Sequence, residues 1–368
     1  MFLRRNSAQM FRGAGHDQQR FRKDASTVQA KRITRRRAIG SCMAFPLIGL
    51  SSSASAAPSD AWLAWKSRFL GADGRVTDDT GGGISHSEGQ GYGLLLAQAF
   101  GDRASFEKIE AWTKDNLLVR DEALMAWRWE PGAAVTDWHT ATDGDLFRAW
   151  ALLRAARDSG WSVDTPDRIA ADIASLCLAP DPRAPGEVLL LPGAETRRAP
   201  DRVPFNPSYI MSRALRELGE ATGQTDLLRA ADHGETVLRE LAAAGFVPDW
   251  IDVTPDGFAP PADHDLRAGY DALRVPLYLV WSGRRDHPAV TRGAEALSLP
   301  DDPSGVAVRR DAQGEPVDRS DLPGYRSILS LTRCEDVVVT PQSINSQPYY
   351  PATLHLFSFL AERENDSC

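Results

Sequence analysis

Ser85-His86-Ser87-Glu88-Gly89-Gln90-Gly91-Tyr92-Gly93-Leu94-Leu95-Leu96 runs from a polar, glycine-rich loop into an apolar stripe, the pattern of a helix entered through a capped turn. Ser87 and Gln90 have the S-x-x-Q spacing of a capping box, which predicts Glu88 at the first helical position. The helix dipole favours a carboxylate there, so Glu88 acts as an acid only if burial raises its pKa more than the dipole lowers it. The surrounding glycines allow a ligand close to the backbone. The plain alternative is a helix with an acidic first turn.

The same 3.6-residue period continues along the chain. Apolar residues recur three and four apart in residues 62–70, 89–100, 106–118, 146–157, 169–178, 208–218, 227–244, 270–281, 290–297, 328–331 and 349–361, about eleven helices separated by Gly/Pro/Asp loops. Residues 189–191 and 337–339 are the best short strands. No repeat of 20 to 50 residues is evident, which argues against a solenoid. The expected fold is therefore all-α, a single toroid of helical hairpins over residues 57–368 with minor short strands in its loops.

Composition narrows the function. The chain of 368 residues is 42% hydrophobic and 25% charged, which is globular. Its net charge of −8 hides an asymmetry: residues 1–56 carry eleven Lys/Arg against Asp17 and Asp24, a balance of +9 that leaves −17 on the remainder. Such an acidic body repels phosphate backbones, so nucleic acid is excluded as a partner and a neutral or cationic polymer fits better. No apolar run after residue 57 is long enough to span a membrane. Residues 1–56 read as a basic extension plus an export signal: Arg35-Arg36-Arg37 of the twin-arginine type, a modest apolar stretch from Ile39 to Leu50, and Ala54-Ser55-Ala56 for cleavage. The expectation is a periplasmic or secreted protein. Of the cysteines that remain, Cys177 reads as a small buried hydrophobe, and Cys177, Cys334 and Cys368 allow at most one bridge. No Cys/His spacing suits a metal, and no cofactor is expected.

Two further polar segments meet helix starts. In Ala141-Thr142-Asp143-Gly144-Asp145, Thr142 or Asp143 is the expected N-cap, and capping alone would explain the carboxylates. In Gly269-Tyr270-Asp271-Ala272-Leu273-Arg274, the three-residue spacing lets Arg274 pair with Asp271 and keep it charged. Tryptophans outside the apolar stripes, namely Trp127, Trp129, Trp138 and Trp250, suit stacking on pyranose rings. His86, His139 and His264 adjoin these segments and read as hydrogen-bonding or surface histidines.

Taken together and in order, Ser87-Glu88-Gly89-Gln90-Gly91-Tyr92-Gly93, Ala141-Thr142-Asp143-Gly144-Asp145, Phe205-Asn206-Pro207-Ser208-Tyr209 and Tyr270-Asp271-Ala272-Leu273-Arg274 resemble glycoside hydrolase family 8. The resemblance covers about residues 60 to 363. It implies an (α/α)6 barrel that cleaves internal β-1,4-glucosidic bonds of cellulose or a related β-glucan with inversion, in association with a cellulose synthase complex. By motif, Glu88 takes the general-acid position, Asp271 the general-base position, and Asp143 that of a sugar-binding carboxylate, with nucleophile as its alternative role. Tyr209 and Arg274 take the positions that orient base and water. Gln90, Tyr270, Trp127 and Trp129 complete the expected substrate-binding set. Because inverting hydrolysis needs one protonated and one ionised carboxyl, Glu88 is expected to be raised by burial near Asp143. Xylan and chitosan are alternative substrates within the family. Outside it, a non-catalytic glucan-binding subunit and a polysaccharide lyase are the competing classes; the paired carboxylates argue against the first and the acidic charge against the second.

Overall fold

A computed structural model describes residues 58–365 apart from 198 and 200; the export signal read from residues 1–56 lies outside the described residues. The described chain contains twelve α-helices: α1 (Pro58–Phe69), α2 (Ser87–Ala99), α3 (Arg103–Asn116), α4 (Thr142–Arg157), α5 (Asp167–Leu176), α6 (Ser212–Thr222), α7 (Thr225–Ala244), α8 (Arg274–Trp281), α9 (Pro288–Leu297), α10 (Pro323–Thr332), α11 (Pro341–Asn345) and α12 (Tyr349–Arg363). The even-numbered helices form an inner ring. Each packs against the next, from α2 through α4, α6, α8 and α10 to α12, and α12 returns to α2. Odd-numbered helices lie outside, α3 against α2, α5 against α4, α7 against α6 and α9 against α8.

Sequence explains which helices go inside. Apart from Glu88, Gln90 and Gln98 in α2 and Arg274 in α8, the residues of these two helices are small or apolar all round, so neither has a face for water, and every residue of α8 is buried. By contrast α3 and α7 keep charged residues on one side and bury the other. Aromatic side chains from four inner helices plug the barrel: Tyr92 meets Phe147 and Phe357 edge-on at 5.0 and 5.1 Å, and Phe147 leans on Tyr278 at 5.3 Å. The core therefore fills the ring axis, and ligands can enter only at an end.

Among the described residues ten short strands decorate the loops, paired antiparallel: β1 (Ser85–His86), β2 (Arg128–Glu130), β3 (Ala134–Asp137), β4 (Leu178–Pro180), β5 (Val188–Leu190), β6 (Val203–Phe205), β7 (Ile251–Thr254), β8 (Gly257–Ala259), β9 (Val306–Arg310) and β10 (Pro316–Ser320). The strand expected near residues 189–191 is β5. Residues 337–339 form no strand; Val337 and Val339 are buried on either side of exposed Val338, and the Val337 amide donates to Glu362 at 2.9 Å instead of to a neighbouring strand. The helix expected from residue 270 starts at Arg274, because residues 270–273 form a turn. Cys177 is buried, as read from sequence, and Cys334 is disulfide-bonded. No described helix is long and apolar enough to cross a membrane.

One contact sets the spacing of the ring where it matters most. A Cβ on Gly91 would stand 2.8 Å from the Gly144 carbonyl oxygen, and one on Gly144 would stand 2.6 Å from Ser87 Oγ and 2.8 Å from the Glu88 amide nitrogen. The two glycines let α2 and α4 approach until their first turns touch. Gly144→Ala is expected to cost about 1–3 kcal/mol by overpacking and to lower activity by parting those turns. Urea unfolding and kcat/KM measured on the same variant check this; an alanine accepted without loss of either would contradict it.

Candidate active site

The first turns of α2 and α4 and the turn before α8 bring three carboxyl groups around one guanidinium. Arg274 is buried and reaches upward from the aromatic plug. Its Nη1 donates to Asp143 Oδ2 at 2.8 Å and to the Tyr92 hydroxyl at 2.7 Å, and its Nη2 donates to Asp271 Oδ1 and Ser208 Oγ, each at 2.7 Å. Asn206 Nδ2 donates to the second Asp271 oxygen at 3.1 Å. Both oxygens of Asp271 are therefore held, yet its side chain keeps 30% exposure, while that of Asp143 keeps 1%. Asp271 faces the cleft, and Asp143 forms part of its floor.

Tyr209 is buried beneath the Arg274 guanidinium, 5.7 Å from it, with burial and then the charges of Asp143, Glu88 and Asp271 pushing its hydroxyl upward in pKa. The 3-10 turn Pro207–Tyr209, capped by Asn206, places Asn206, Ser208 and Tyr209 here together. The turn carrying Asp271 is pinned from behind by buried Asp249, whose Oδ1 accepts the amides of Gly269 and Ala272 at 2.7 and 2.9 Å. Burial, then the Asp271 charge, lift Asp249 to about 6. Asp249, Asn206 and Ser208 had no individual signal in the sequence, since a lone Asp after Pro248 and a capping Asn are ordinary loop chemistry.

Several expectations need correction. Residue His86, not Ser87, is the N-cap of α2, and its ring Nδ1 accepts the Gly89 amide at 3.0 Å, so Glu88 is the second helical residue. Gln90 is fully buried away from the cleft: its carbonyl accepts the Val76 amide at 2.6 Å and its amide reaches Thr113 Oγ1 at 2.9 Å. It ties α2 to α3 and binds no substrate. The N-cap of α4 is Ala141, without a side-chain cap; Asp143 is free for Arg274, and buried Asp145 accepts the Met125 amide at 2.8 Å. Trp129 packs in a satellite core beside Trp112, Leu117 and Met125, with the Arg75 guanidinium 4.8 Å over its ring, so it is not a sugar platform. Trp127 differs: its indole Nε1 donates to Glu88 Oε1 at 3.3 Å, which puts the ring beside the carboxyl group at the cleft. Tyr270 flanks the site, its ring among those of Tyr325 and Tyr350. Buried Trp250 is stacked on His264 at 4.2 Å, whereas Trp138 is exposed.

Electrostatics distribute the protons differently from the expectation. Burial disfavours the charge on Glu88, but the charge and hydrogen bond of His86, a backbone amide and Arg274 together leave its pKa lowered. Asp143 is the group that rises, to about 7, through burial and the Glu88 charge, with Arg274 opposing and Asp271 adding to the rise. The reason is local: His86 sits beside Glu88, while Asp143 has only Arg274, which it shares with Asp271.

A helical barrel whose inner-helix ends converge carboxyl groups around one buried guanidinium, with one of them partly exposed, is the arrangement of an acid/base hydrolase of the glycosidase kind. The family model described as "Glycosyl hydrolases family 8" matches residues 36–320, and the chain belongs to that family. It is a glycoside hydrolase, and its toroid is the (α/α)6 barrel of that family. An "Endoglucanase" of Cellulomonas uda is 36% identical over 230 residues, 60% of this chain and 63% of that one, so the match spans just under two thirds of the relative. A "Probable endoglucanase" of Novacetimonas hansenii is 31% identical over 324 residues, 82% and 90% of the two chains. The crystal structure of endoglucanase Cel10, a family 8 glycosyl hydrolase from Klebsiella pneumoniae, superimposes with a TM-score of 0.75 at 29% identity, covering 83% of this chain and 99% of that one.

The raised pKa of Asp143 has a thermodynamic signature. An unfolded Asp ionises near 3.8, and Asp143 in the fold near 7, so between these values the native state holds an extra proton. Its stabilising contribution is complete below about pH 4 and is lost as pH rises to 7. Asp143→Asn removes that dependence. The stability of the variant relative to the parent is expected to increase from pH 4 to 7 by a few kcal/mol and then level off, read from urea midpoints at each pH; a pH-independent difference would contradict the assignment.

Proposed function

We propose that the chain is an endo-β-1,4-glucanase that hydrolyses its substrate with inversion at the anomeric carbon. The observation that carries this reading is the Arg274 hub, which fixes Asp271 at the cleft surface and Asp143 beneath it. Asp271, with both oxygens oriented by Arg274 and Asn206, takes a proton from water as that water attacks the anomeric carbon. Glu88 delivers a proton to the departing glycosidic oxygen, with Trp127 alongside to stack on a sugar ring. Asp143, nearly inaccessible and bound to Arg274, acts on the sugar through its charge in the floor of the site and the distortion that charge favours; it does not attack. The names of the relatives, endoglucanases from Cellulomonas uda and Novacetimonas hansenii, support a β-glucan as the substrate. The twin-arginine-type segment supports a periplasmic or secreted enzyme, and a place beside a cellulose synthase complex would follow from that location.

If Asp271 activates water, the first product from a cello-oligosaccharide carries the α-anomeric configuration, seen by proton NMR before mutarotation. Asp271→Asn then lowers kcat roughly 10²- to 10⁴-fold with substrate binding retained. An initial β signal would assign Asp143 as a nucleophile instead. Release of reducing ends from carboxymethylcellulose, lichenan, xylan and chitosan, compared side by side, tests the substrate; preference for xylan or chitosan would replace the glucan.

Removing the Trp127 ring is expected to raise KM for cello-oligosaccharides while the protein stays folded by circular dichroism. Trp129→Ala is expected to destabilise the β2–β3 region, since that ring fills a core. Equal effects of the two substitutions on KM would return both to the same role.

A further inference from the structure

His86 stands where the acid is loaded. Its Nδ1 accepts the Gly89 amide at 3.0 Å and also lies 3.2 Å from Glu88 Oε2, while Nε2 lies 3.7 Å from Asp78 Oδ2. A single ring nitrogen cannot serve both neighbours in one protonation state. With a proton on Nδ1 it donates to the Glu88 carboxylate, and the Gly89 amide has no acceptor. Without one, its lone pair accepts the Gly89 amide, and Glu88 can approach only as a carboxylic acid.

We infer that His86 is a positioning residue that shares one proton with Glu88, handing it from Nδ1 to Oε2 when Gly89 closes the helix cap. This rests on the glucanase reading of Glu88 as the general acid. The step balances: the Nδ1–H bond breaks, an O–H bond forms on Glu88, and the vacated lone pair accepts the Gly89 N–H. Glu88 then gives that proton to the glycosidic oxygen as the C–O bond breaks. Asp271 accepts one from the attacking water and releases it to solvent, from which the His86–Glu88 pair takes up its replacement. The lowered pKa of Glu88 beside His86 thus leaves its proton one hydrogen bond away.

Every group around the ring fits this use. Asp78, in the loop ahead of β1, faces Nε2 and favours its proton in either state. Glu88 on α2 faces Nδ1, and Tyr349 on α12 packs edge-on against the ring at 5.9 Å. Arg274, Asp143 and Asp271 lie beyond Glu88. Burial opposes a charge on His86, but the Glu88 charge and the Asp78 and Glu88 hydrogen bonds outweigh it and push its pKa up to about 10. An isolated histidine titrates near 6.5.

The test compares His86→Gln with the parent on two substrates. Hydrolysis of a cello-oligosaccharide needs the acid; hydrolysis of 2,4-dinitrophenyl β-cellobioside, whose leaving group departs unprotonated, does not. The variant is expected to lose about 10²-fold in kcat/KM on the oligosaccharide, the usual lower scale for general acid catalysis, and far less on the aryl glycoside. Its alkaline limb should move to lower pH. Equal losses on both substrates, or an unmoved limb, would make His86 a helix cap only. Should the variant not fold, nitrogen NMR of histidine-labelled parent enzyme decides: His86 Nδ1 should stay protonated well above pH 6.5, and Glu88→Gln should return its titration toward the ordinary value. Ordinary titration in the parent would overturn the shared proton. That readout needs no substrate, so it is independent of a parent enzyme that failed to cleave β-glucan, which would instead overturn the glucanase reading.

Discussion

Burying a guanidinium is costly unless its donors are answered, and the site is organised around answering the two Nη groups of Arg274, while its buried Nε has no hydrogen-bond partner. Two carboxylates, a tyrosine hydroxyl and a serine hydroxyl receive its Nη protons, and they come from α2, α4, the turn before α8 and the 3-10 turn after β6. Four separate stretches of chain are thereby fixed against one rigid fork. The aromatic plug below sets the height of that fork, since Tyr92, whose hydroxyl Arg274 reaches, has its ring packed edge-on against Phe147 and Phe357. Displacing any of these partners would leave a buried donor unanswered, which ties the site to the barrel core.

Close helix approach supplies the second constraint. Two carboxyl-bearing first turns can meet only where neither helix has side-chain bulk at the crossing, and Gly91 and Gly144 meet that condition. The positive ends of both helix dipoles favour negative charge there, and burial opposes it. The outcome differs for the two acids because their neighbours differ: His86 beside Glu88, a shared arginine beside Asp143. Proton placement in this site is thus a property of the cluster and not of either residue.

Much of this was legible in the sequence. Eleven helical stripes, the all-α toroid, and the carboxylates Glu88, Asp143 and Asp271 could be read from periodicity and motif, because a 3.6-residue stripe reports burial directly and loop-to-helix junctions report polar ends. The pairing of Asp271 with Arg274 followed from spacing and survives although a turn, not a helix, carries it. The short strands near residues 203–205 and 251–259 were not legible, since three or four residues carry too little alternation and the partner of β6 lies far along the chain in β7.

What tertiary structure alone decided is which polar residues face the cleft. Gln90 and Trp129 have the chemistry of ligand-binding residues and sit within motifs, yet Gln90 is spent on the backbone of the Val76 loop and Trp129 on a satellite core. Asp249, Asn206 and His86 look ordinary in sequence and acquire their roles from loops that pack onto the barrel end. Local pattern determines whether a residue is buried and in what element, because both depend on near neighbours along the chain. Which partner a buried polar group finds, and so where its proton resides, depends on groups far along the chain, 182 residues away in the Tyr92–Arg274 bond.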